Sequence, residues 1–301
     1  MNTPGNPQPM PELAVIGWPL RLTFSPDMQA AALRKAGLNW RYEAIPVAPE
    51  TLPVFLSSAA STMRGFNVTI PHKGTVKMAC SRVDDLANSS GAVNTVVCDS
   101  SRGRPRLEGH NTDGPGLLKA LELRAGFEPP GSSVLVLGAG GAAAGCVAAL
   151  ARRGSSTITI ANRTAPRAAS LIDRMQALIT STTWSFSLLD EEIDRQAVAR
   201  HARRDFDLVI NCLPEEPSSH LGGLLESVFR RGSVFCDMCY SYGPTNLLSL
   251  AGSTGYRVVP GLEVLLWQGV YAFEVFTRES APVDAMRDGL KGVAGGWWLQ
   301  C

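Results

Sequence analysis

The sequence lacks the features that mark a membrane protein or a dedicated nucleic-acid-binding protein. No uninterrupted apolar run approaches the roughly 18 residues that a membrane-spanning helix needs. The 28 lysines and arginines are balanced by 27 aspartates and glutamates, and the formal net charge is only +1. Because no long run of one charge sign occurs either, we expect no nucleic-acid partner and no membrane partner. A small molecule is the expected partner.

Signals for secretion and for a metal site are also missing. Residues 1–12 (MNTPGNPQPMPE) are polar and proline-rich without an apolar segment, which predicts a disordered leader and not a secretion signal. The seven cysteines are odd in number and scattered, which favours reduced, buried thiols in a cytoplasmic protein. Cys236 and Cys239 form a C-x-x-C pair at the end of a predicted strand, and the four histidines lack zinc-ligand spacing. We therefore expect no metal and no redox role for this pair.

Apolar strand patterns alternate with helical patterns along most of the chain, which predicts an α/β fold. A length of 301 residues favours two domains. The first section predicts strands at 13–18, 42–47, 66–70, 92–98 and 106–111, and helices at 26–36, from about residue 51, and at 113–125. The second section, after the break EPPGSS at 128–133, has strands that are apolar throughout, as in a parallel sheet covered on both faces. We predict one domain at 13–112, completed by C-terminal helices at about 265–301, and another at 113–264.

A glycine-rich motif directly follows the first strand of the second section and opens a helix. It fits G-x-G-x-x-G/A in a strand–turn–helix–strand context, where glycines let the backbone approach a pyrophosphate at the helix start. The residues that we assign to the cofactor here are Gly138, Ala139, Gly140, Gly141 and Ala142. The next strand ends in Asn162, Arg163 and Thr164, followed by Arg167, where a ribose 2′-hydroxyl would usually meet a carboxylate. Because a guanidinium suits a phosphate, NADP(H) is favoured over NAD(H).

Four polar clusters in the first section follow predicted strands or lie at their ends. They are TFSP (23–26), NVTIPHK (67–73), GAVNT (91–95) and NTDG (111–114). Singly, each has an ordinary structural explanation: Ser25 and Asp113 could cap helices, and Asn94 could satisfy a turn. Together with a nicotinamide cofactor they indicate a hydroxylated carboxylate substrate. Lys73 would then face the reacting carbonyl.

In this order, the clusters resemble the shikimate dehydrogenase family, from about residue 13 to 277. The family pattern G-x-N-V-T-x-P-x-K is met by Gly65 to Lys73, and GAVNT, NTDG, GAGGA, NRT and D-M-x-Y follow in register. The resemblance implies a substrate domain with a mainly parallel sheet, a Rossmann domain and a site in the cleft between them. It also implies NADP-dependent, reversible reduction of 3-dehydroshikimate to shikimate, a step of aromatic amino acid biosynthesis.

The resemblance also implies a role for individual residues. Lys73 and Asp113 would form the catalytic pair. The substrate would be held by Thr23 and Ser25 at its carboxylate, and by Thr69, Asn94, Gln268 and Asp113 at its ring and hydroxyls. Tyr240 would lie at a further position on the substrate side. Cys212 and Gly261 would lie on the cofactor side.

The chain departs from the family pattern around the carboxylate and the nicotinamide. Leu22 and Phe24 replace a histidine and a smaller residue, Val264 replaces a methionine, Trp267 is larger than usual, and Leu213 to Glu216 lack the usual hydroxyls. Quinate or an amino analogue of shikimate therefore remains an alternative substrate. A non-catalytic sensor of such metabolites is the alternative of another class, and methylenetetrahydrofolate-type dehydrogenases are disfavoured by the NTDG and GAVNT clusters. A monomer or a homodimer is compatible with the sequence.

Overall fold

The computed structural model describes residues 10–99, 104–189, 206–213, 224–226, 228 and 230–301. Most of the predicted leader, and the departures at Pro214, Glu215 and Glu216, lie outside the described residues. In the part that is described, strands and helices alternate as predicted, and the α/β fold is confirmed.

The first domain contains a six-stranded mixed sheet. Its strands are β1 (Leu13–Gly17), β2 (Tyr42–Pro46), β3 (Gly65–Val68), β4 (Arg82–Val83), β5 (Thr95–Asp99) and β6 (Arg106–His110). Its helices are α1 (Ser25–Lys35), α2 (Leu52–Thr62), α3 (Lys73–Ala79) and α4 (Asp85–Ser90). The strand order is β2-β1-β3-β5-β6-β4, and only the pairs that involve β5 are antiparallel. The sheet is therefore mainly parallel, as expected.

The second sheet is parallel in every described pair. It consists of β7 (Ser133–Leu137), β8 (Thr157–Asn162), β9 (Thr183–Leu188), β10 (Leu208–Asn211), β11 (Val234–Asp237) and β12 (Arg257–Val259). The helices of this half are α5 (Asp113–Ala125), α6 (Gly141–Arg152), α7 (Ala165–Gln176), α8 (Asn246–Thr254), α9 (Gly261–Thr277) and α10 (Val283–Ala294). The order β9-β8-β7-β10-β11-β12 is that of a doubly wound dinucleotide-binding sheet, whose ligand crevice lies where the order reverses, at β7 and β10.

Both sheets are buried on two faces. In β1, Leu13 and Val15 pack in one core cluster and Ala14 and Ile16 in another. The strand predicted at 66–70 starts one residue earlier and ends two residues earlier than expected. Strand β3 ends at Val68, all four of its residues are buried, and Ile70 is 54% exposed.

Helix α9 crosses back onto the first domain, as its apolar sequence predicts. Its residues Phe273 and Phe276 pack in the same cluster as Leu13 of β1 and Met28 of α1. The C-terminal segment that the sequence left unexplained forms α10 and a short 3₁₀ turn, and Trp298 in that turn is fully buried in this cluster. The division into domains at residue 113 stays a prediction, because α5 packs both against α6 and against α9, the helix that crosses back onto the first domain.

The seven cysteines differ in their exposure to solvent. Cys146 and Cys236 are buried, whereas Cys301 is exposed, so the expectation of buried thiols holds for only part of the set. Among the described residues, no helix combines the length and the apolar character that crossing a membrane requires.

Candidate active site

Lys73 and Asp113 form a direct ion pair. Lys73 is the first residue of α3 and Asp113 the first residue of α5. The Lys73 Nζ donates to Asp113 Oδ2 at 2.6 Å, and the two side chains are 11% and 9% exposed. A pair of this length is a charge-assisted hydrogen bond. The fold therefore joins two residues that are 40 positions apart, and leaves the ammonium at the edge of solvent, where a ligand can reach it.

Asn94 fixes the other oxygen of this carboxylate. Its Oδ1 accepts from the backbone N–H of Thr112 at 2.7 Å, so its Nδ2 must act as the donor. That Nδ2 donates to Asp113 Oδ1 at 2.7 Å and to Thr112 Oγ1 at 3.0 Å. Asp113 Oδ2 is thus left for the ammonium. Asn94 lies in a network centred on Asp113 and does more than satisfy a turn.

Gln268 reaches the same network from helix α9. Its Oε1 lies 3.5 Å from Asn94 Nδ2, and its Nε2 donates to the Leu265 carbonyl at 3.0 Å. Gly116 of α5 lies directly against it, since a Cβ at Gly116 would be 2.6 Å from the Gln268 backbone nitrogen. Close approach of α5 and α9 therefore brings Gln268 to Asn94, which binds Asp113.

Asn67 and Tyr42 extend the network and were not singled out from the sequence. The buried Tyr42 hydroxyl donates to Asn67 Oδ1 at 2.7 Å, and Asn67 Nδ2 donates to the Asn94 carbonyl at 3.1 Å and to Thr95 Oγ1 at 2.9 Å. Burial raises the pKa of Tyr42 well above its usual range, which keeps it a neutral donor. A polar residue inside an otherwise buried strand was the available signal for Asn67.

The predicted carboxylate-binding residues form a second group at the start of α1. The Ser25 backbone N–H donates to Thr23 Oγ1 at 3.3 Å, and Ser25 is the first residue of α1. Burial raises the pKa of Tyr240, and a hydrogen bond with Thr23 opposes that rise. Phe24, which is 2% exposed, packs on Tyr240 with the ring centroids 5.6 Å apart. Phe24 therefore supports Tyr240 and does not itself line an open carboxylate pocket.

Thr69 is the predicted substrate residue with the fewest polar connections in this structure. It directly follows β3, and its backbone N–H donates to the Ile16 carbonyl at 2.8 Å. Its methyl group lies against Gly17, where a Cβ would collide with Thr69 Cγ2. This contact holds Thr69 at the strand ends, and its hydroxyl role stays a prediction.

The glycine motif lies beside Lys73. Helix α6 begins at Gly141, and a Cβ at that position would be 3.1 Å from Lys73 Cδ. Gly138 has φ +106° and packs on the carbonyl of Cys212, where a Cβ would come to 3.1 Å. A Cβ at Gly140 would meet no described atom within 4 Å. A tight turn, an open glycine and a helix start together fit the pyrophosphate of a dinucleotide, close to the ammonium.

The end of β8 presents the residues that were predicted to select NADP(H). Asn162 ends the strand, and its Nδ2 donates to the Thr164 carbonyl at 2.9 Å, which closes the turn into α7. Arg163 and Arg167 are both exposed at this turn. Their guanidinium groups are available for a phosphate at the site where the ribose of a bound dinucleotide lies.

The other cofactor-side residues gather at the ends of β10 and β11. Gly261 lies against the Cys239 carbonyl, where a Cβ would come impossibly close. Asp237 accepts from Asn211 Nδ2 at 2.9 Å and from the Cys239 N–H at 3.0 Å, and burial raises its pKa. Among the described residues, no cluster of three or more His, Cys, Asp or Glu side chains is placed to hold a metal ion.

Comparisons with known proteins agree with this geometry along the chain. Residues 15–96 match the model of the shikimate dehydrogenase substrate binding domain, and residues 261–291 match that of the shikimate 5′-dehydrogenase C-terminal domain. Residues 134–263 match the model of the saccharopine dehydrogenase NADP binding domain.

Whole-chain relatives and solved structures extend the match. The chain is 37% identical to the shikimate dehydrogenases (NADP(+)) of Citrifermentans bemidjiense and Methanopyrus kandleri, over 92% of this chain and 93% of each relative. It is similar to the shikimate 5-dehydrogenase of Listeria monocytogenes in complex with shikimate and NAD (TM-score 0.79, 29% identity, 95% of this chain and 99% of that one). It is also similar to that of Thermus thermophilus in complex with NADP(H) and shikimate (TM-score 0.74, 30% identity, 94% and 99% covered). The chain therefore belongs to the shikimate dehydrogenase family.

Proposed function

We propose that this chain catalyses the reversible, NADP-dependent oxidation of shikimate to 3-dehydroshikimate. The observation that carries the proposal is the 2.6 Å contact of Lys73 with Asp113. The side chain of Lys73 also lies against Gly141, the first residue of α6. An ammonium held in one place beside a dinucleotide cradle is the group that a ketone reduction requires. The names of the relatives and the ligands of the similar structures support the same substrate and cofactor.

In this proposal, the protein moves the proton and the cofactor moves the hydride. NADP(H), held by the glycine motif and by Arg163 and Arg167, would supply or accept the hydride. In the direction of reduction, Lys73 stabilises the negative charge that grows on the ketone oxygen and gives that oxygen a proton. In the direction of oxidation, the lysine nitrogen takes the hydroxyl proton back. Asp113 keeps the lysine in position throughout.

The substrate would lie between the two polar groups of the site. Thr23, Ser25 and Tyr240 offer hydroxyl donors to its carboxylate, while Asn94 and Gln268 reach its ring hydroxyls. Positioned hydroxyl and amide groups discriminate strongly against analogues that lack the matching group, because they would be left unpaired. Binding of the carboxylate and binding of the ring are therefore expected to contribute separately to specificity.

Initial-rate measurements test the proposal. Purified protein is assayed for reduction of NADP+ and NAD+ with shikimate, quinate and aminoshikimate as substrates. We expect the highest kcat/KM for shikimate with NADP+. Higher kcat/KM with quinate or aminoshikimate would reassign the substrate within the family. Binding of shikimate without turnover of any substrate would refute the proposed enzymatic activity and favour a non-catalytic sensor of such metabolites.

A further inference from the structure

Two helices bring residues of the candidate site together, and they are also tied together away from it. Helix α5 begins with Asp113, and helix α9 carries Gln268. At the site end they touch through Gly116, where a Cβ would lie 2.6 Å from the backbone nitrogen of Gln268. Arg124 lies about three turns after Asp113 on α5, near the opposite end of that helix. The second tie between the helices starts from this arginine.

Glu263 on α9 is the centre of this second tie. Its side chain is 3% exposed, and its Oε1 accepts from the indole N–H of Trp267 at 2.9 Å. Arg124 Nε lies 3.9 Å from Glu263 Oε2, and Arg287 Nη2 of helix α10 lies 3.7 Å from Oε1. A buried carboxylate must be paired to be tolerated. Glu263 therefore holds three helices in one arrangement by its charge.

The last residues of the chain hold Arg124 from the other side. We name residues 295–301 the C-terminal clasp. The guanidinium of Arg124 donates to three carbonyls of the clasp, those of Trp298, Leu299 and Cys301. Trp298 is itself fully buried among residues of α1 and α9, and its Nε1 donates to the Gly295 carbonyl at 3.0 Å. The clasp thus orients Arg124 with hydrogen bonds to backbone groups anchored by a core side chain.

We propose that the C-terminal clasp, through Arg124 and Glu263, positions Gln268 against Asn94, the residue that holds Asp113, for the reaction. Arg124 and Glu263 are positioning residues, because neither faces the catalytic lysine. A guanidinium has five donors in a rigid fork, which lets Arg124 donate to three carbonyls, while its Nε makes no hydrogen bond within the described residues and lies 3.9 Å from the Glu263 carboxylate as an ion pair. The proposal rests on the proposed function for its turnover assay only, since binding of shikimate by the protein measures the same geometry.

A double-mutant cycle between Arg124 and Gln268 tests this proposal. Arg124→Met keeps the aliphatic stem and removes the fork, and Arg124→Lys keeps the charge but cannot span the three carbonyls. For each variant, kcat and KM for shikimate and for NADP+ are measured at a temperature at which circular dichroism shows a folded protein. Calorimetry gives the Kd of shikimate for the protein without cofactor, in which no turnover can occur. Arg82→Met is the matched control, because Arg82 forms an ion pair of 3.7 Å with Glu108 and is 79% exposed.

We expect Arg124→Met to lower kcat/KM for shikimate by roughly 10-fold or more, since small misplacement of positioning groups is costly. Arg124→Lys should lie between Arg124→Met and wild type, and the KM for NADP+ should stay within about twofold of wild type. In a Gln268→Ala background, Arg124→Met should lower kcat/KM for shikimate by less than about twofold, because the effects of coupled residues are not additive. The positioning role would be refuted if Arg124→Met lowered kcat/KM in the Gln268→Ala background as much as it does alone. It would also be refuted if Arg124→Met alone kept the kcat/KM and the Kd of the wild type. Absent turnover in the wild type would contradict the proposed function instead, and the Kd of shikimate would still decide on the clasp.

Discussion

Replacing Lys73 by methionine separates its chemical role from its structural role. Methionine keeps an unbranched stem of similar length, so that the contact with Gly141 at the start of α6 is retained. The positive charge that lies 2.6 Å from Asp113 Oδ2 is lost. Whatever changes in Lys73→Met therefore follows from the ammonium and not from packing.

The expected magnitude follows from this geometry. A positioned acid–base group contributes about 10²- to 10⁴-fold in rate, or about 3–5 kcal/mol of activation free energy. Breaking a buried ion pair destabilises by about 3–5 kcal/mol, but Asp113 keeps the hydrogen bond from Asn94 and both side chains are about a tenth exposed. We therefore expect a loss of at least about 100-fold in kcat. The unfolding free energy should fall by about 3 kcal/mol or less.

The assay follows the reduction of NADP+ with shikimate by absorbance, together with thermal unfolding and NADP+ affinity. Lys77→Met is the control, because Lys77 lies on the same helix one turn further on and is only partly buried. We expect Lys77→Met to behave as wild type in all three measurements. A folded Lys73→Met protein with kcat within tenfold of wild type would refute the assignment of Lys73 as the proton donor.

Three further changes test other parts of the molecule. Arg163→Ala should raise the KM for NADP+ by about 10-fold or more, since hydrogen bonds to charged groups contribute about 1.5–3 kcal/mol, and should leave the KM for NAD+ nearly unchanged; steady-state kinetics with both cofactors measure this. Gly116→Ala would place a methyl group 2.6–2.8 Å from Gln268. The unfolding free energy should fall by about 1–3 kcal/mol, which thermal unfolding measures, and the KM for shikimate should rise. Burial acts to raise the pKa of Asp84, but hydrogen bonds from His110 and from two backbone amides outweigh it, and the pKa lies below its usual value. Asp84 therefore contributes stability that is present above its unfolded pKa and is lost as pH falls through the folded one, so Asp84→Asn should shrink the difference in melting temperature between about pH 5 and about pH 3.

Elements with a strong local signal could be predicted from the sequence. Helix α5 was predicted at 113–125 and observed at Asp113–Ala125, because a leucine stripe follows Asp113 and Gly126 ends the helix with φ +54°. The strand–glycine–helix unit around Gly138 predicted the second sheet in the same way. Strand β9 was missed, although the alternation of polar and apolar residues in TWSFSL is typical of a half-buried strand.

The hydrogen bonds between the side chains of the site could not be predicted from the sequence alone. Nothing local to Asn94 indicates that its Oδ1 meets the Thr112 N–H, although this contact decides which way its amide points. Tyr42 of β2 and Asn67 of β3 meet across β1, which lies between their strands in a sheet whose order was unknown. Such contacts depend on long-range register, which sequence periodicity does not contain. The roles of the predicted site residues stay predictions until the substitutions are measured.

The candidate residues share one structural property that explains why they converge. Ser25, Lys73, Asp113, Gly141 and Gly261 are each the first residue of a helix that follows a strand. Helix starts carry partial positive charge, which favours a carboxylate, a pyrophosphate or a growing oxyanion. The same field disfavours an ammonium at the start of α3, by about 0.3–1 kcal/mol. Asp113, at the start of α5, is favoured by that field and balances the charge of Lys73. The pair therefore lets a cation remain where the rest of the site attracts anions, as the proposed stabilisation of a negative ketone oxygen by Lys73 requires.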